Sequence, residues 1–195
     1  MTSGTLRIEL LSYWHAGTGL RRGGDADALV LHDTAGLPYL PGRTVKGLLR
    51  EGVCLAASCA SGLPKNADEL VFGREDRQEL LSRLVVGDAK IPDDKLGQWL
   101  RKSEDAVRET LFDSIASTAL TDNGLAKDNS LRVVEVCLPL TLVAGIKWDE
   151  TILDPALGTV TATEVLQTGA LLIRSLGSHR HRGLGRCAVE LVLQP

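Results

Sequence analysis

Hydrophobic and polar positions along the chain predict four strands and two long helices. Alternation of apolar and polar residues near the two ends is typical of half-buried strands. Two internal runs rich in β-favouring residues predict further strands, and apolar residues at helical spacing predict the helices. In chain order the segments are strand 5–14, helix 44–59, strand 84–91, strand 141–148, helix 161–176 and strand 187–193.

Two insertions interrupt this pattern between residues 92 and 138. Residues 92–117 carry an interrupted apolar stripe among many acids, which predicts helical cover. Residues 117–138 have turn-forming residues at 122–124 and again at 127–130 between β-favouring flanks, which predicts a projecting hairpin. We expect one α+β domain over residues 1–195, with the helical insertion and the hairpin at 92–138. Without the insertions the order is βαββαβ, as in ferredoxin-like and RRM-like domains.

Composition permits a folded core and gives no sign of a membrane segment. The chain has 195 residues, and 44% hydrophobic content is sufficient for one domain to bury a core. No apolar run reaches membrane-spanning length, so we expect a cytoplasmic protein. The four cysteines lack a Cys-x-x-Cys pair, which favours buried free thiols over zinc ligands or disulfides.

Charge is segregated along the chain although the net charge is only −3. Residues 51–128 contain fifteen acids against ten bases. Residues 174–186 contain no acid and six basic or imidazole side chains: Arg174, His179, Arg180, His181, Arg182 and Arg186. A basic rim on an acidic body fits a protein that holds a polyanion along one face.

The start of the first helix is one candidate phosphate site. Pro38 and Pro41 hold residues 36–42 in turn and extended conformations, so the helix begins at about Arg43 or Thr44. Free amides at a helix start favour an anion, and Arg43 and Lys46, three residues apart, add charge on one side of the first turn. Arg50 is a further predicted contact to the RNA backbone. The alternative is a basic, solvated helix start without function.

A second candidate site lies between the last helix and the last strand. Its three glycines permit close approach of backbone amides to a phosphate, and its arginines neutralise the charge. The predicted contacts are Gly177, His179, Arg180, Arg182, Gly183 and Gly185, with Arg21 and Arg22 of the glycine-rich first loop. We expect this corner and the helix start to meet around a sugar-phosphate strand. The alternative is a basic loop whose glycines serve only for turning.

Base stacking on the sheet is not predicted. Domains of the RRM type read sequence by stacking bases on sheet aromatics. This chain has seven aromatic residues, and Phe72, Trp99 and Phe112 lie outside the predicted sheet strands. The pattern therefore favours contacts to the RNA backbone.

Several motifs, in order, resemble the RAMP superfamily, the RNA-binding subunits of CRISPR effector complexes. Residues 41–50 resemble its Pro-Gly-(Ser/Arg)-(Ser/Thr)-hydrophobic-Lys-Gly-x-hydrophobic-Arg motif, and residues 70–73 its Phe-Gly turn. Residues 118–135 resemble the hairpin thumb of its backbone subunits, and residues 177–186 its C-terminal glycine-rich loop. The resemblance is greatest to the repeated, guide-coating subunit of type III effectors.

This resemblance implies partners, a wedge and a cutting residue. The partners would be crRNA, target RNA, other RAMP subunits and a large signature subunit, acting in antiviral defence. The hairpin tip, with Leu120, Leu125 and Lys127, would wedge the guide–target duplex. In cutting members an aspartate precedes a segment matching residues 33–39 here, which implies Asp27 as the catalytic residue and Asp25 as second choice. Asp27 would hold a divalent metal, magnesium or manganese.

Three other hypotheses remain open at this stage. Metal-independent RAMP enzymes that process precursor crRNA use a histidine, for which His15 and His32 are the candidates. The chain could instead be a non-catalytic RNA scaffold. A ferredoxin-like domain that binds no RNA is the remaining alternative.

Overall fold

The computed structural model describes residues 1–17, 28–59, 62–73, 84–150 and 160–194. Strands from both ends of the chain lie side by side in its main sheet. In chain order the elements are β1 (Thr2–Leu10), α1 (Gly42–Ser58), α2 (Ala67–Phe72), β2 (Leu84–Val86), α3 (Lys95–Lys102), α4 (Asp105–Glu109), β3 (Phe112–Ser117), β4 (Arg132–Cys137), β5 (Thr141–Trp148), α5 (Ala162–Leu171), a 3-10 turn (Arg180–Arg182) and β6 (Cys187–Leu193).

The main sheet is antiparallel, with the order β2-β5-β1-β6. In this arrangement the first strand of the βαββαβ pattern pairs with the third and the fourth, and the second lies at an edge. Ile8 of β1 lies opposite Leu142 of β5 and Val189 of β6, so the inward positions of three strands are in register. The predicted ferredoxin-like α+β fold is confirmed.

Alternation along the strands separates a helix-covered face from an outward face. Leu6, Ile8 and Leu10 are buried with the inward residues of β5 and β6, whereas Arg7 between them is exposed. The outward positions of the described strands carry no aromatic side chain: Ser3, Thr5, Arg7, Glu9, Val85, Thr141, Val143, Gly145, Lys147, Ala188, Glu190 and Val192. This face offers no stacking platform, as the sequence predicts.

Helices α1 and α5 cover the inward face and approach each other closely. A capping box starts α5: Thr161 Oγ1 accepts from the Glu164 amide at 3.2 Å, and Glu164 Oε2 accepts from the Thr161 amide at 2.8 Å. The crossing is at two glycines, because a methyl on Gly52 would lie 2.2 Å from the Gly169 carbonyl oxygen. Only glycine permits this contact between the two backbones.

The prediction of helix through residue 117 is wrong over residues 112–117. Helices α3 and α4 occupy 95–109, but β3 follows and pairs with β4 from Phe112 opposite Cys137 to Ser117 opposite Arg132. Residues 112–117 form a strand because they pair with a segment fifteen or more residues away. The spacing of apolar residues within 92–117 carries no information about that partner. The predicted first strand also ends early, at Leu10.

The four cysteines are free, but only two are buried. Burial raises the pKa of Cys137 to about 12 and that of Cys187 to about 11. Cys54 is exposed within α1 and Cys59 is exposed just after its end, so the prediction of buried thiols is wrong for these two residues. Among the described residues, no helix combines the length and apolarity needed to span a membrane.

We expect Gly52→Ala to lower the free energy of unfolding by about 1–3 kcal/mol, because the methyl group would force α1 away from α5. Gly47→Ala is the matched control, since nothing lies within 4 Å of a methyl at this position of the same helix. It should raise the free energy of unfolding by about 0.5–1 kcal/mol through helix propensity. Denaturant titrations measure both changes, and equal effects of the two substitutions would contradict the close contact.

Candidate nucleic-acid interface

The extended segment Leu11–His15, directly after β1, forms hydrogen bonds with a neighbouring element on each side. On one side it binds the basic loop, defined here as residues 177–186. The hydrogen bonds are Leu11 N–H to Arg186 O (2.8 Å), Gly185 N–H to Tyr13 O (2.7 Å) and Ser178 N–H to His15 O (3.0 Å). Ser12 adds its hydroxyl, which donates to Gly183 O at 3.1 Å and accepts from the Arg186 amide at 3.0 Å.

On its other side the same segment binds the base of the β3–β4 hairpin. Trp14 and Cys137 exchange two backbone hydrogen bonds of 3.1 and 2.8 Å. The Trp14 indole N–H donates to Leu138 O at 3.1 Å, and His15 Nδ1 donates to Glu135 O at 2.7 Å. Trp14 is fully buried and His15 is 3% exposed, so this junction belongs to the core.

The basic loop presents its cations on a short 3-10 turn at Arg180–Arg182. Left-handed residues bound the turn on both sides, His179 with φ 58° and Gly183 with φ 84°. The side chains of Arg180, His181 and Arg182 are all exposed. Arg182 and His179 also line a cleft with Ile115 and Val134 of the hairpin, so the loop and the hairpin are neighbours.

Close packing excludes a side chain at two of the three glycines in the basic loop but not at the third. A methyl on Gly177 would lie 2.3 Å from the His15 carbonyl oxygen, and one on Gly185 would lie 1.9 Å from the Leu176 carbonyl oxygen. These two glycines permit close packing of the loop on its own protein. A methyl on Gly183 would meet nothing within 4 Å, so this glycine alone of the three leaves open space for a ligand.

An acid that the sequence analysis did not single out partly neutralises the positive potential at the start of α1. Asp88 Oδ1 accepts a hydrogen bond of 2.8 Å from the Gly42 amide, the first of the helix. Arg43 and Thr44 remain exposed beside it. The detectable signal was an acid two residues after the strand at 84–86, but its partner is 46 residues away in the chain.

Two other predicted cations are engaged by the protein. Lys46 Nζ donates to the Leu84 carbonyl at 3.0 Å, and burial, together with the nearby Arg50, lowers the pKa of Lys46. Arg50 donates through two nitrogens to Asp68 Oδ2, each at 3.2 Å. Both side chains therefore have structural partners.

The two predicted corners do not meet at Lys46. Lys46 contacts β2, whereas the basic loop leads directly into β6, and these strands are opposite edges of the sheet. Helix α1 links them, because Arg180 pairs with Glu51 at 3.1 Å, two turns beyond Arg43. Arg43, Gly47 and Glu51 are exposed and recur at four-residue spacing, so they share one face of the helix.

The hairpin tip, residues 118–131, is held by its own hydrogen bonds and exposes leucines. Leu120 forms a bridge with Ala126, and the Lys127 amide donates to Ala119 O at 2.9 Å. The side chains of Leu120 and Leu125 are 64% and 69% exposed. The projecting hairpin predicted from the sequence therefore carries an apolar tip.

The two candidate histidines have structural partners. His15 is buried, and its Nδ1–H donates a hydrogen bond to the Glu135 carbonyl oxygen. His32 stacks on Phe112 with ring centroids 4.4 Å apart, and its Nε2 lies 3.8 Å from Glu135 Oε2. His32 also lines a cleft of about 470 Å³ whose walls include Asp105, Glu109, Asp113 and Glu135. This acidic cleft is unsuited to an RNA phosphate.

The predicted catalytic residues Asp25 and Asp27, and the cations Arg21 and Arg22, lie outside the described residues. Among the residues that are described, no group of three or more His, Cys, Asp or Glu is arranged to hold a metal ion. The structure resumes at Ala28, which forms a bridge with Val134 of β4 and accepts from the Glu135 amide at 3.1 Å. The predicted divalent metal therefore depends on the sequence resemblance alone.

We expect Gly185→Ala to destabilise the protein more than Gly183→Ala. Both glycines have positive φ, 70° and 84°, so alanine costs about 1–2 kcal/mol at either position. At Gly185 the methyl also meets the Leu176 carbonyl, which should bring the total loss to about 3 kcal/mol or more. Denaturant titration of the two variants measures the difference, and equal losses would contradict the packed position of Gly185.

Comparison with known proteins agrees with this fold. The chain is similar to a chain in the cryo-EM structure of the Type III-B Cmr-beta bound to cognate target RNA, with a TM-score of 0.67, 10% identity, and coverage of 98% of this chain and 97% of that one. It is also similar to a chain of Type III-B Cmr-beta in the apo state, with a TM-score of 0.63, 11% identity and the same coverage. A search of curated proteins finds no match. Residues 7–188 match the model of the RAMP superfamily, and with nearly the whole chain covered, this protein belongs to that superfamily.

Proposed function

We propose that this protein is a crRNA-binding backbone subunit of a type III CRISPR ribonucleoprotein in antiviral defence. It holds the guide RNA by its phosphates beside an apolar hairpin tip. Two findings support this proposal: membership of the RAMP superfamily, and the fold shared with chains of Type III-B Cmr-beta, a complex whose structure is known with cognate target RNA bound. Guide RNA, target RNA and further subunits of the complex are the proposed partners.

The observation that carries the proposal is the anchored basic loop. Its turn is fixed by backbone hydrogen bonds to Tyr13 and His15, so the exposed Arg180 and Arg182 are presented on a rigid support. Arginine on a fixed backbone suits phosphate recognition, because its planar group donates several hydrogen bonds at once. Phosphate contacts of this kind position an RNA without selecting its sequence.

The path of the RNA follows from the exposed face of α1. Arg43 lies at the start of this face and Arg180 meets it at Glu51, about 12 Å farther along the helix axis. Gly47 lies between them with open space around it, so a strand can approach the helix closely there. Glu51 is the one acid on this row, and Arg180 already pairs with it. Lys46 and Arg50 are not assigned a phosphate on this path, because the Leu84 carbonyl and Asp68 already hold their side chains.

Opposite effects on RNA affinity are expected from Arg182→Gln and Glu51→Gln. Loss of Arg182 removes a phosphate contact, which should weaken binding to unrelated RNA sequences equally and reduce the salt slope of log K by about 0.7. Loss of Glu51 releases Arg180 for phosphate, so binding should tighten by a few fold. Fluorescence anisotropy with two unrelated single-stranded RNAs, between about 50 and 200 mM salt, measures both effects.

Arg7→Gln and Glu190→Gln are matched controls. They make the same charge changes on the outward face of the sheet, where Arg7 and Glu190 lie opposite each other. Each control should change the affinity for RNA only by the small amount that a change of one in the net charge of the protein produces. Effects of the controls equal to those of Arg182→Gln and Glu51→Gln would contradict the proposed path.

We also propose that the subunit cuts paired target RNA at regular intervals, with Asp27 as the residue that holds a divalent metal. The support is the motif resemblance, together with the anchoring of Ala28, the next residue in the chain, on β4 of the hairpin. Bound magnesium or manganese would neutralise charge on the phosphoryl oxygens. The burial of His15 and its hydrogen bond disfavour histidine-based processing at that residue.

In the assembled complex, Asp27→Asn should lower target cleavage on the order of 100-fold while leaving target binding unchanged. Asp25→Asn is the matched comparison and should cut at nearly the normal rate. Cleavage should stop in EDTA and return with added magnesium or manganese. Normal cutting by both variants would indicate a scaffold, and cutting of precursor RNA that persists in EDTA would indicate the histidine mechanism.

A further inference from the structure

Helix α3 exposes a tryptophan on a firmly held support. Trp99 is 55% exposed and Leu96, one turn earlier, is 60% exposed, whereas Gly97 and Leu100 are buried. Asp94 caps the helix by accepting from the Gly97 amide at 2.8 Å. The protein therefore displays this indole on an ordered element.

The support is reinforced from the preceding segment. Arg101 donates to the Ile91 carbonyl at 2.7 Å and to Asp93 at 3.1 Å. A methyl on Gly97 would lie 1.9 Å from the Pro92 carbonyl oxygen, so the helix packs directly against this segment. These contacts fix the direction in which α3 presents Trp99.

Two cations flank the indole. Lys95 and Lys102 lie four residues before and three residues after Trp99, on the same face of the helix. Both are exposed, and within the described part of the chain neither has an ion-pair partner. Of the acids next to α3, Asp94 caps the helix and Asp93 pairs with Arg101, whereas Glu104 is exposed two residues beyond Lys102. Helix α3 itself contains no acid, so the face that carries Trp99 bears two lysines and no carboxylate.

The size of the patch favours a base over a protein partner. Together Leu96 and Trp99 expose roughly 250 Å², far below the ~800 Å² that each side of a standard protein interface buries. A single nucleobase needs only one aromatic face, and flanking lysines can contact the phosphates on either side of it. Aromatic platforms within positive grooves are typical of single-strand binding.

The position of α3 connects it to the RNA path. Asp88, near the start of the segment that leads to α3, accepts from the first amide of α1, and Ala89 pairs with Leu40 just before that helix. Three residues farther on is Pro92, on which α3 packs. An RNA strand at Arg43 can therefore continue toward Trp99.

We propose that Trp99 stacks on a base of single-stranded RNA, with Lys95 and Lys102 on the adjacent phosphates. This inference rests on the proposed RNA-binding function and adds a base contact away from the sheet. Because every base has an aromatic face, the contact tolerates any sequence. It lies on an element that is linked to the start of α1 through residues 88–92.

The protein contains its own optical probe for this contact. Of its three tryptophans, Trp14 and Trp148 are fully buried, so Trp99 alone is open to solvent and to collisional quenchers. We expect oligo(A) to quench the emission of the full chain and to shield Trp99 from acrylamide. Trp99→Leu should lower the affinity for oligo(A) between about 5- and 100-fold, whereas Trp99→Phe should retain most of it. Lys95→Gln with Lys102→Gln should weaken binding and reduce its salt dependence.

The outcomes separate this inference from the proposed function. Normal affinity of Trp99→Leu, with no change in wild-type emission on RNA binding, would overturn stacking and leave phosphate binding intact. Absence of RNA binding by wild type and variant alike would overturn both. A blue shift of Trp99 emission with rising protein concentration, without RNA, would overturn stacking in favour of a protein contact. Equal unfolding free energies of wild type and Trp99→Leu exclude misfolding as the cause of weaker binding.

Discussion

The structure depends on the backbone hydrogen bonding of the five residues that follow β1. Leu11, Tyr13 and His15 face the basic loop, and Trp14 faces the hairpin, so one extended segment satisfies partners on both sides. Backbone groups buried here need partners, and the loop and the hairpin supply them. Since Trp14 and His15 are also core residues, neither the basic loop nor the hairpin can shift without disturbing the interior. The positions of both elements therefore depend on this junction.

The inward and outward faces of helix α1 have different roles. Its inward side packs on α5 at the Gly52–Gly169 contact, while Arg43, Gly47 and Glu51 lie outward. Each face has a glycine: Gly52 permits close approach of the α5 backbone on the inward face, and Gly47 leaves open space on the outward face. The same helix therefore fixes the fold and connects the two basic regions at opposite sheet edges.

Local pattern predicted the elements, and long-range contacts determined the rest. Alternation and helical spacing were sufficient for β5, β6, α1 and the ferredoxin-like order, because burial of one face sets the period of each element. They failed at 112–117, where the partner strand is distant, and at Leu11–His15, where alternation continued beyond the sheet. The cation-rich motifs were visible in the sequence. Their partners were not, because Lys46 bonds to a carbonyl 38 residues away and Gly42 to Asp88 across 46 residues.

The carboxylate at the start of α1 has a consequence for discrimination among anions. Asp88 already occupies the Gly42 amide, so a small free phosphate or nucleotide meets a helix terminus whose first donor is taken and whose positive potential is reduced. In the proposed mode of binding a polymer would lose less, because its successive phosphates would also contact Arg43, Arg180 and Arg182, and each displaced counterion would add to its binding. The internal acid would thereby disfavour metabolites that carry one or two phosphates relative to a long chain.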